Sequence, residues 1–221
     1  MPETPQENYV PALGFHFLTP VYDAVVRMTT RERTFKAALV AQANARPGRR
    51  VLDLACGTGT LAILIKNSSP GAEVIAIDGD EKILCIARKK AQSAGVAIQF
   101  DQGLSYDLPY PDGHFDWVTS SLFFHHLSWP DKQRTAQELH RVIRPGGQLH
   151  VADWGRATGP LMRSAFLAVQ LIDGFENTRD NVKGRLPEVF AEAGFANVHE
   201  TKIFATALGT MALYRAEQKQ K

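Results

Sequence analysis

The chain has 221 residues, 44% of them hydrophobic, which is enough for one domain with a substantial core. Its formal net charge of +2 at pH 7 is close to balanced, so composition gives no reason to expect nucleic acid as a partner. Its two cysteines, Cys56 and Cys85, form neither a disulfide framework nor a metal spacing, and no run reaches the roughly 18 apolar residues of a membrane span, so a soluble cytoplasmic protein is expected.

The predicted elements alternate along the first two thirds of the chain. Residues 1–14 are rich in Pro, Glu and Gln and predict a weakly ordered N-terminus. Residues 15–45 are largely free of helix breakers after Pro20 and predict a helix. Strand-like and helix-like segments then alternate from residue 51 to a fifth strand at residues 148–154. This alternation predicts a parallel sheet with helices on both faces.

The C-terminal third departs from that pattern. Residues 159–175 and 185–195 predict two helices, and residues 196–216 predict two extended segments with no helix between them. Strands joined so closely form a hairpin, so the last strand is expected to run antiparallel. The predicted architecture is an α/β domain at residues 15–216, with a seven-stranded and mostly parallel sheet, followed by a frayed tail at residues 217–221.

A glycine-rich turn follows the first predicted strand, in the stretch VLDLACGTGTLAILI. Gly57 and Gly59 satisfy the G-x-G-x-x-G/A pattern of a dinucleotide site, and Asp78 ends the next strand where such a site has its ribose-binding acid. A tight strand-to-helix turn also needs glycine whatever it binds. Asp53 argues against a dinucleotide, because a buried carboxylate ahead of the turn would repel pyrophosphate and suits a cationic ligand.

Four motifs occur in order at residues 51–59, 75–78, 108–127 and 141–154: VLDLACGTG, IAID, LPYPDGHFDWVTSSLFFHHL and RVIRPGGQLHVADW. Together they resemble the class I S-adenosylmethionine-dependent methyltransferases, in particular the small-molecule branch that includes quinone-ring methylases. The resemblance implies a Rossmann-like methyltransferase fold and S-adenosyl-L-methionine as cofactor. It also implies methyl transfer to a small-molecule acceptor, such as a quinone-like ring, a lipid amine or another metabolite.

The resemblance further implies where the cofactor is held. In the family the first motif surrounds the methionine part, and the acid after the second strand takes the ribose hydroxyls, which is the role implied for Asp78; capping of the following helix is the alternative. Ala55 stands where many members have glycine. Leu104 stands where members commonly have an aspartate for the adenine amino group, which leaves that group to Ser105, a backbone group or Asp101. The implied cofactor-binding residues are Tyr22, Asp53, Ala55, Cys56, Gly57, Gly59, Asp78, Gly79, Gly103, Leu104, Ser105 and Ser120.

The implied acceptor side is less specific. The family's N-terminal helix, which corresponds to about residues 15–45, closes over the cofactor, and Tyr22 is the candidate lid contact, with core packing as the alternative. In-line methyl transfer needs little acid-base help, so no catalytic residue is assigned, and His126 and Asp153 are the groups to test where a proton must leave. The implied substrate-binding residues are Phe15, Tyr22, His126, Trp154, Met162 and Phe166.

No metal site is predicted at the consecutive His125 and His126. Neighbouring side chains seldom point the same way, and no third Cys, His or acid stands at ligand spacing. A hydrogen-bonded structural role is the alternative for His126. The basic cluster from Arg27 to Lys36 is interpreted first as a solvated helix face, and as a contact for an anionic membrane surface if the acceptor is a lipid or prenylated ring.

Two rival functions stay open on the residues alone. A nicotinamide-dependent oxidoreductase is supported by the glycine loop and Asp78, but not by Asp53 or the terminal hairpin. A methyltransferase-like fold kept as a non-catalytic binding module is the second. The sequence specifies neither the atom methylated nor the oligomeric state.

Overall fold

The computed structural model describes residues 31–220. The predicted weakly ordered segment 1–14 and the candidate residues Phe15 and Tyr22 lie outside this range, as does residue 221. The predicted helix 15–45 lies inside it only in its second half, where helix α1 spans Glu32–Ala43. The lid function of that helix therefore stays a prediction.

One sheet organises the described part of the chain. Its strands are β1 (Arg50–Leu54), β2 (Glu73–Asp78), β3 (Gln99–Gln102), β4 (Phe115–Ser121), β5 (Ile143–Trp154), β6 (Ala196–Thr206) and β7 (Gly209–Glu217). They lie in the order β3-β2-β1-β4-β5-β7-β6. The first five run parallel, and β7 runs antiparallel to both β5 and β6. The predicted seven-stranded sheet with an antiparallel last strand is confirmed.

Helices cover both faces of this sheet. After α1 come α2 (Thr60–Ser68), α3 (Glu81–Ser93), α4 (Trp129–Val142), α5 (Pro160–Ala165), α6 (Leu167–Asp173), α7 (Phe175–Val182) and α8 (Leu186–Glu192). Alternate residues of β1 belong to two separate buried clusters, since Leu52 packs in one with Phe190 and Val51 packs in the other with Leu39. A strand buried on both faces is the environment in which the polar Asp53 is conspicuous.

Differences from the predicted boundaries are largest at three places. The predicted helix 159–175 is divided between α5 and α6 at the buried Phe166. The predicted fifth strand starts earlier, at Ile143, and a Cβ on Gly147 would lie 2.6 Å from the Asp116 carbonyl oxygen, so glycine lets the two strands approach there. Residues 217–218 are not frayed, because Glu217 ends β7 and the Gln218 side chain donates to the His140 carbonyl at 2.7 Å.

Helix α7 was not predicted at all. Its fully buried side chains, Thr178 and Asn181, are polar, so the segment lacks the apolar periodicity by which a buried helix is recognised. Both side chains form hydrogen bonds inside the protein: Gln170 donates to Thr178 Oγ1 at 3.1 Å, and Asn181 Nδ2 donates to the Trp154 carbonyl at 3.1 Å. The helix is held by hydrogen bonds over the carboxyl end of β5.

Candidate cofactor and active site

The glycine loop lies at the carboxyl end of β1, between β1 and α2. Ala55, Gly57 and Gly59 have φ angles of 51°, 53° and 74°, all in the left-handed region. A Cβ on Gly59 would lie 3.1 Å from the Ala87 Cβ, so that glycine lets α2 and α3 pack closely. A Cβ on Gly57 would meet nothing within 4 Å, so the loop borders open space at that point. Ala55 adopts a conformation that glycine takes at less cost, in keeping with the glycine common at this place in the family.

Asp53 is buried directly beneath this loop, with 1% of its surface exposed. Its Oδ1 accepts a hydrogen bond from Thr119 Oγ1 at 3.3 Å, whereas its Oδ2 is buried with no hydrogen-bond partner among the residues described. Burial raises the pKa of Asp53 to about 7, against the opposing effect of the Lys36 charge. An unpartnered carboxylate oxygen in such a place is costly unless a donor or a cation reaches it.

The Lys36 side chain departs from the predicted solvated face. It is buried, and its Nζ lies 2.5 Å from the Glu32 carboxylate on the same helix. The exposed Arg33 retains the predicted surface position. The solvated-face interpretation is therefore wrong for Lys36, whose ammonium contributes positive potential near Asp53.

Asp78 links the end of β2 to the loop. Its Oδ2 accepts from the Gly57 amide at 2.9 Å, and its Oδ1 accepts from the Asp80 amide at 3.1 Å. The α3 cap is Asp80, which accepts from the Lys82 amide at 2.8 Å, so the alternative that Asp78 caps this helix is wrong. Each carboxylate oxygen of Asp78 keeps a second lone pair, so the carboxylate can still accept from two hydroxyls. Burial raises the pKa of Asp78.

The chain after β3 lies beside Asp78, because the Gly103 amide donates to the Asp78 carbonyl at 3.1 Å. Leu104 is 38% exposed there, which is unusual for a large apolar residue and fits a platform for a flat ring. Ser105 Oγ is 2.9 Å from Thr135 Oγ1 and is already engaged. Asp101 accepts from Tyr110 Oη at 2.9 Å and lines a groove that contains no residue of the glycine loop.

Three further predicted cofactor residues have defined partners. Ser120 Oγ donates to the Leu54 carbonyl at 3.1 Å, which ties β4 to the end of β1. Cys56 Sγ lies 3.6 Å from the Gly57 carbonyl oxygen, and burial raises the pKa of this thiol, so it stays protonated. The Gly79 carbonyl accepts from Gln102 Nε2 at 3.2 Å. Their contact with a cofactor stays a prediction.

Asp153, at the end of β5, is fully buried and held by several donors. Leu122 has a left-handed φ of 56° just after β4, and this turn aims the next two amides at the carboxylate. The amides of Phe123 and Phe124 donate to its Oδ2 at 3.1 and 2.7 Å. Its Oδ1 lies 2.7 Å from His125 Nδ1. Burial opposes ionisation, but His125 and the Trp154 amide lower the pKa of Asp153, so Asp153 is an ionised group that orients His125. Its role as a base where a proton must leave stays a prediction.

His125 and His126 converge on one acid, Asp173 at the end of α6. The Nε2 of His125 is 3.6 Å from Asp173 Oδ2, and the Nδ1 of His126 is 3.8 Å from Asp173 Oδ1. The two imidazole rings lie 4.0 Å apart, centre to centre. The two reasons for expecting no metal ligands at this place, diverging neighbours and no third residue, are therefore wrong. Burial and the charge on His125 lower the pKa of His126 to about 3, so His126 is neutral and a weak base.

Sequence reasoning missed the polar residues that hold this region together. Lys132 is 0% exposed, and its Nζ donates to the Asn177 carbonyl at 2.6 Å. Asn177 Nδ2 in turn donates to the His126 carbonyl at 3.1 Å. The one sequence signal available is a lysine in an otherwise amphipathic helix. From sequence alone such a lysine is assigned to the surface, because the helix that supplies its partners is not known.

Two of the predicted acceptor-side residues, Trp154 and Phe166, lie together beside the histidines. The Trp154 ring is 5.3 Å from the Phe166 ring and 6.4 Å from the His125 ring. Trp154 and Phe166 are buried, and Met162 is half-buried one helical turn before Phe166. This places an apolar wall beside the histidines, and its contact with an acceptor stays a prediction.

The comparisons with known proteins agree with this geometry. A family described as "Methyltransferase domain" matches residues 51–147, which include the glycine loop and Asp78. A demethylmenaquinone methyltransferase of Thermus thermophilus is 37% identical over 142 residues, 63% of this chain and 64% of that protein. The chain belongs to the class I S-adenosylmethionine-dependent methyltransferases.

Other members extend the likeness. A 2-phytyl-1,4-naphtoquinone methyltransferase of Synechococcus elongatus is 33% identical over 67% of this chain and 65% of its own. The regions of strongest likeness thus span a little under two thirds of these relatives. A demethylmenaquinone methyltransferase of Symbiobacterium thermophilum is 29% identical over 100% of this chain and 97% of its own.

Solved structures confirm the methyltransferase fold. A putative methyltransferase of Bacillus halodurans has a TM-score of 0.68 at 21% identity, covering 84% of this chain and 99% of that one. The [4+2]-cyclase SpnF has a TM-score of 0.66 at 19% identity, covering 85% and 81%. Because a cyclase shares it, the fold by itself does not establish methyl transfer.

Proposed function

We propose that this protein transfers the methyl group of S-adenosylmethionine to a quinone-like ring that carries an apolar tail. The observation that carries the proposal is Asp53, whose buried Oδ2 has no partner among the described residues, at the mouth of a glycine loop. An ammonium group satisfies it, whereas a pyrophosphate would be repelled. The acceptor class is supported by relatives whose names specify demethylmenaquinone and 2-phytyl-1,4-naphtoquinone.

The residues at the sheet edge fit S-adenosylmethionine, which supplies a methyl group on a cationic sulfur that a nucleophile can displace. Asp53 would hold the methionyl ammonium, and the open side of Gly57 leaves room for the methionyl chain. Asp78, with a spare lone pair on each oxygen, would accept from the ribose hydroxyls. Leu104 would cover one face of adenine. Asp101 and Ser105, the other candidates for the adenine amino group, already have partners.

On the acceptor side, the residues would orient the acceptor and exclude water from it more than they would transfer protons. Asp153 fixes the His125 ring by accepting from its Nδ1, which leaves Nε2 as the ring atom that faces Asp173. His126, with its pKa near 3, is too weak a base to take a proton from a phenol-like hydroxyl efficiently. The buried Trp154 and Phe166 give that side an apolar wall.

Peripheral contact with lipid follows from an acceptor with a long apolar tail. Helices α5 to α7 carry an exposed apolar patch consisting of Leu161, Leu167, Leu171, Ile172 and Phe175. The exposed Arg179 and Lys183 of the same region complement anionic headgroups. Among the described helices, none has both the length and the hydropathy needed to cross a membrane. We therefore propose that the patch lies on a membrane surface, and that the apolar tail of the acceptor enters the protein from that membrane.

A methyl-transfer assay tests the proposed activity. The full chain is incubated with S-adenosylmethionine bearing a deuterated methyl group and with a reduced 2-prenylated naphthoquinol, and the product is examined by mass spectrometry. A labelled methyl on the ring is expected, and Asp53→Asn should reduce its rate at sub-saturating cofactor. A chain that binds S-adenosylhomocysteine but methylates neither this acceptor nor a panel of hydroxylated rings and amines would be a binding module, and the proposed activity would be wrong.

A further inference from the structure

The side chains of His125, His126 and Asp173 form a compact cluster beside the proposed acceptor pocket. One ligand atom from each lies within 4.8 Å of the other two. We propose that they bind a divalent first-row transition metal ion, which holds an oxygen of the acceptor ring. The metal-binding part stands on the cluster alone, and the role in acceptor binding rests on the proposed function.

The distances between the candidate ligand atoms of these three residues are closer to those found around a metal ion than to hydrogen-bond lengths. The two nitrogen-to-oxygen distances, 3.6 Å from His125 Nε2 and 3.8 Å from His126 Nδ1, exceed hydrogen-bond length. Ligands about 2.1 Å from a tetrahedral ion lie about 3.4 Å from one another. One ligand atom of each residue lies within 4.8 Å of the other two, so side-chain movements on the order of an ångström would bring all three to that spacing.

A carboxylate behind one imidazole fixes its orientation. Asp153 Oδ1, 2.7 Å from His125 Nδ1, accepts the hydrogen of that nitrogen, which leaves Nε2, the atom that faces Asp173, available to an ion. Metal-binding histidines almost always have such a partner on the other nitrogen. Asp153 is held in turn by the amides of Phe123, Phe124 and Trp154. The imidazole is therefore oriented before any ion arrives.

The cluster is closed on one side and open on the other. The His125 and Asp173 side chains are buried, whereas the His126 side chain is 22% exposed. One helical turn before Asp173, the buried Gln170 has an Oε1 with no hydrogen-bond partner in the described part of the chain. That amide oxygen can accept from a water bound to the ion. Three protein ligands and one open side are typical of a site that takes a substrate atom.

The chemical types of the three ligands determine which metal ions the site favours. Two imidazoles and one carboxylate suit zinc, iron(II), cobalt(II) or manganese(II), whereas magnesium and calcium prefer oxygen ligands throughout. Such an ion can replace one bound water by a ring hydroxyl, whose proton passes to water as the metal–oxygen bond forms, with no change in oxidation state. The resulting oxyanion makes the neighbouring ring carbon more nucleophilic. This would supply activation of the ring without a protein base.

Cobalt(II) titration of the untagged, metal-stripped full chain tests the site. Visible absorption and calorimetry should show one ion per chain at micromolar affinity. Asp173→Asn and His126→Gln, which keep side-chain volume, should each weaken binding at least tenfold. His199→Gln is the matched control, because His199 is exposed on β6, and it should bind as the unchanged protein does.

Two results would overturn the metal site. One is the absence of cobalt absorption bands at millimolar ion with folded protein, and the other is equal cobalt affinity in the unchanged chain and both cluster variants. S-adenosylhomocysteine binding, measured on the same samples, keeps the two proposals apart. If S-adenosylhomocysteine binds but cobalt does not, only the metal site is refuted. If cobalt binds but S-adenosylhomocysteine does not, the proposed function and the role of the metal in acceptor binding are refuted.

Discussion

Asp53 sets the chemistry of the cofactor site at the scale of single residues. Its raised pKa, about 7 against an ordinary 3.8, means that the folded, ligand-free chain holds a proton that the unfolded chain releases. The stability it contributes is therefore full below about pH 4 and is lost as pH rises through about 7. A cationic ligand reverses this preference, because it binds the ionised carboxylate.

Cofactor affinity should therefore depend on pH through Asp53. The affinity for S-adenosylhomocysteine is expected to rise about tenfold from pH 6 to pH 8, since the ionised fraction of a group with pKa near 7 rises about tenfold over that range. Calorimetry in buffers of different ionisation enthalpy should show proton release at pH 6. Asp53→Asn should flatten the profile, and a profile of equal slope in that variant would assign the titration to another group.

Asp78 and Asp80 are neighbouring acids for which we predict different roles. Asp78→Asn should weaken S-adenosylhomocysteine binding by about 1.5 to 3 kcal/mol, the range for charge-assisted hydrogen bonds. Asp80→Ala removes the α3 cap and should lower the free energy of unfolding by about 1 kcal/mol with little change in affinity. Calorimetry and urea unfolding of both variants test the pair. The opposite pattern would mean that the ribose is held by Asp80.

The sequence predicted some site residues and missed others for a physical reason. Asp53 and Asp78 sit at fixed distances from a glycine turn, so local pattern was enough to find them. Asp173, at the end of α6, meets His125 only in the folded chain, and nothing in its local sequence signals this. Asp153 was found by position, but the amides that hold its carboxylate were not, because they come from a left-handed turn at Leu122.

At the scale of elements, α7 is held in place by polar contacts. Lys132, from α4, donates to the Asn177 carbonyl and lies 3.7 Å from Asp180 Oδ2. Burial lowers the pKa of Lys132, so its ammonium is stable there only because of these partners. The alternating strands and helices of the first two thirds were predictable from periodicity, whereas a helix buried through polar side chains has no such signal.

Lys132→Met should therefore loosen α7 while keeping most of the side-chain volume. The free energy of unfolding is expected to fall by about 1 to 3 kcal/mol, because two partly buried oxygens, the Asn177 carbonyl and the Asp180 carboxylate, lose their charged partner. Lys183→Met, at the exposed end of α7, is the matched control and should change stability by less than about 0.5 kcal/mol. Equal urea midpoints for the two variants would show that Lys132 does not anchor the helix.

At the scale of the whole molecule, α5 to α7 follow β5 along the chain and carry the exposed apolar patch. The combined change Leu171→Ser and Ile172→Ser should lower binding to vesicles of anionic phospholipid about tenfold or more, because both side chains are largely exposed and apolar. Ile203→Ser, which removes an exposed apolar residue from β6, is the control. Cosedimentation that falls equally in both would exclude the patch as the membrane contact.

Calorimetry of the full chain with S-adenosylhomocysteine and, separately, with NADH tests the assigned cofactor most directly. We predict one site for S-adenosylhomocysteine with micromolar affinity and at least tenfold weaker binding in Asp53→Asn, together with no measurable binding of NADH. Binding of NADH without S-adenosylhomocysteine would contradict this assignment and would restore the dinucleotide interpretation of the glycine loop.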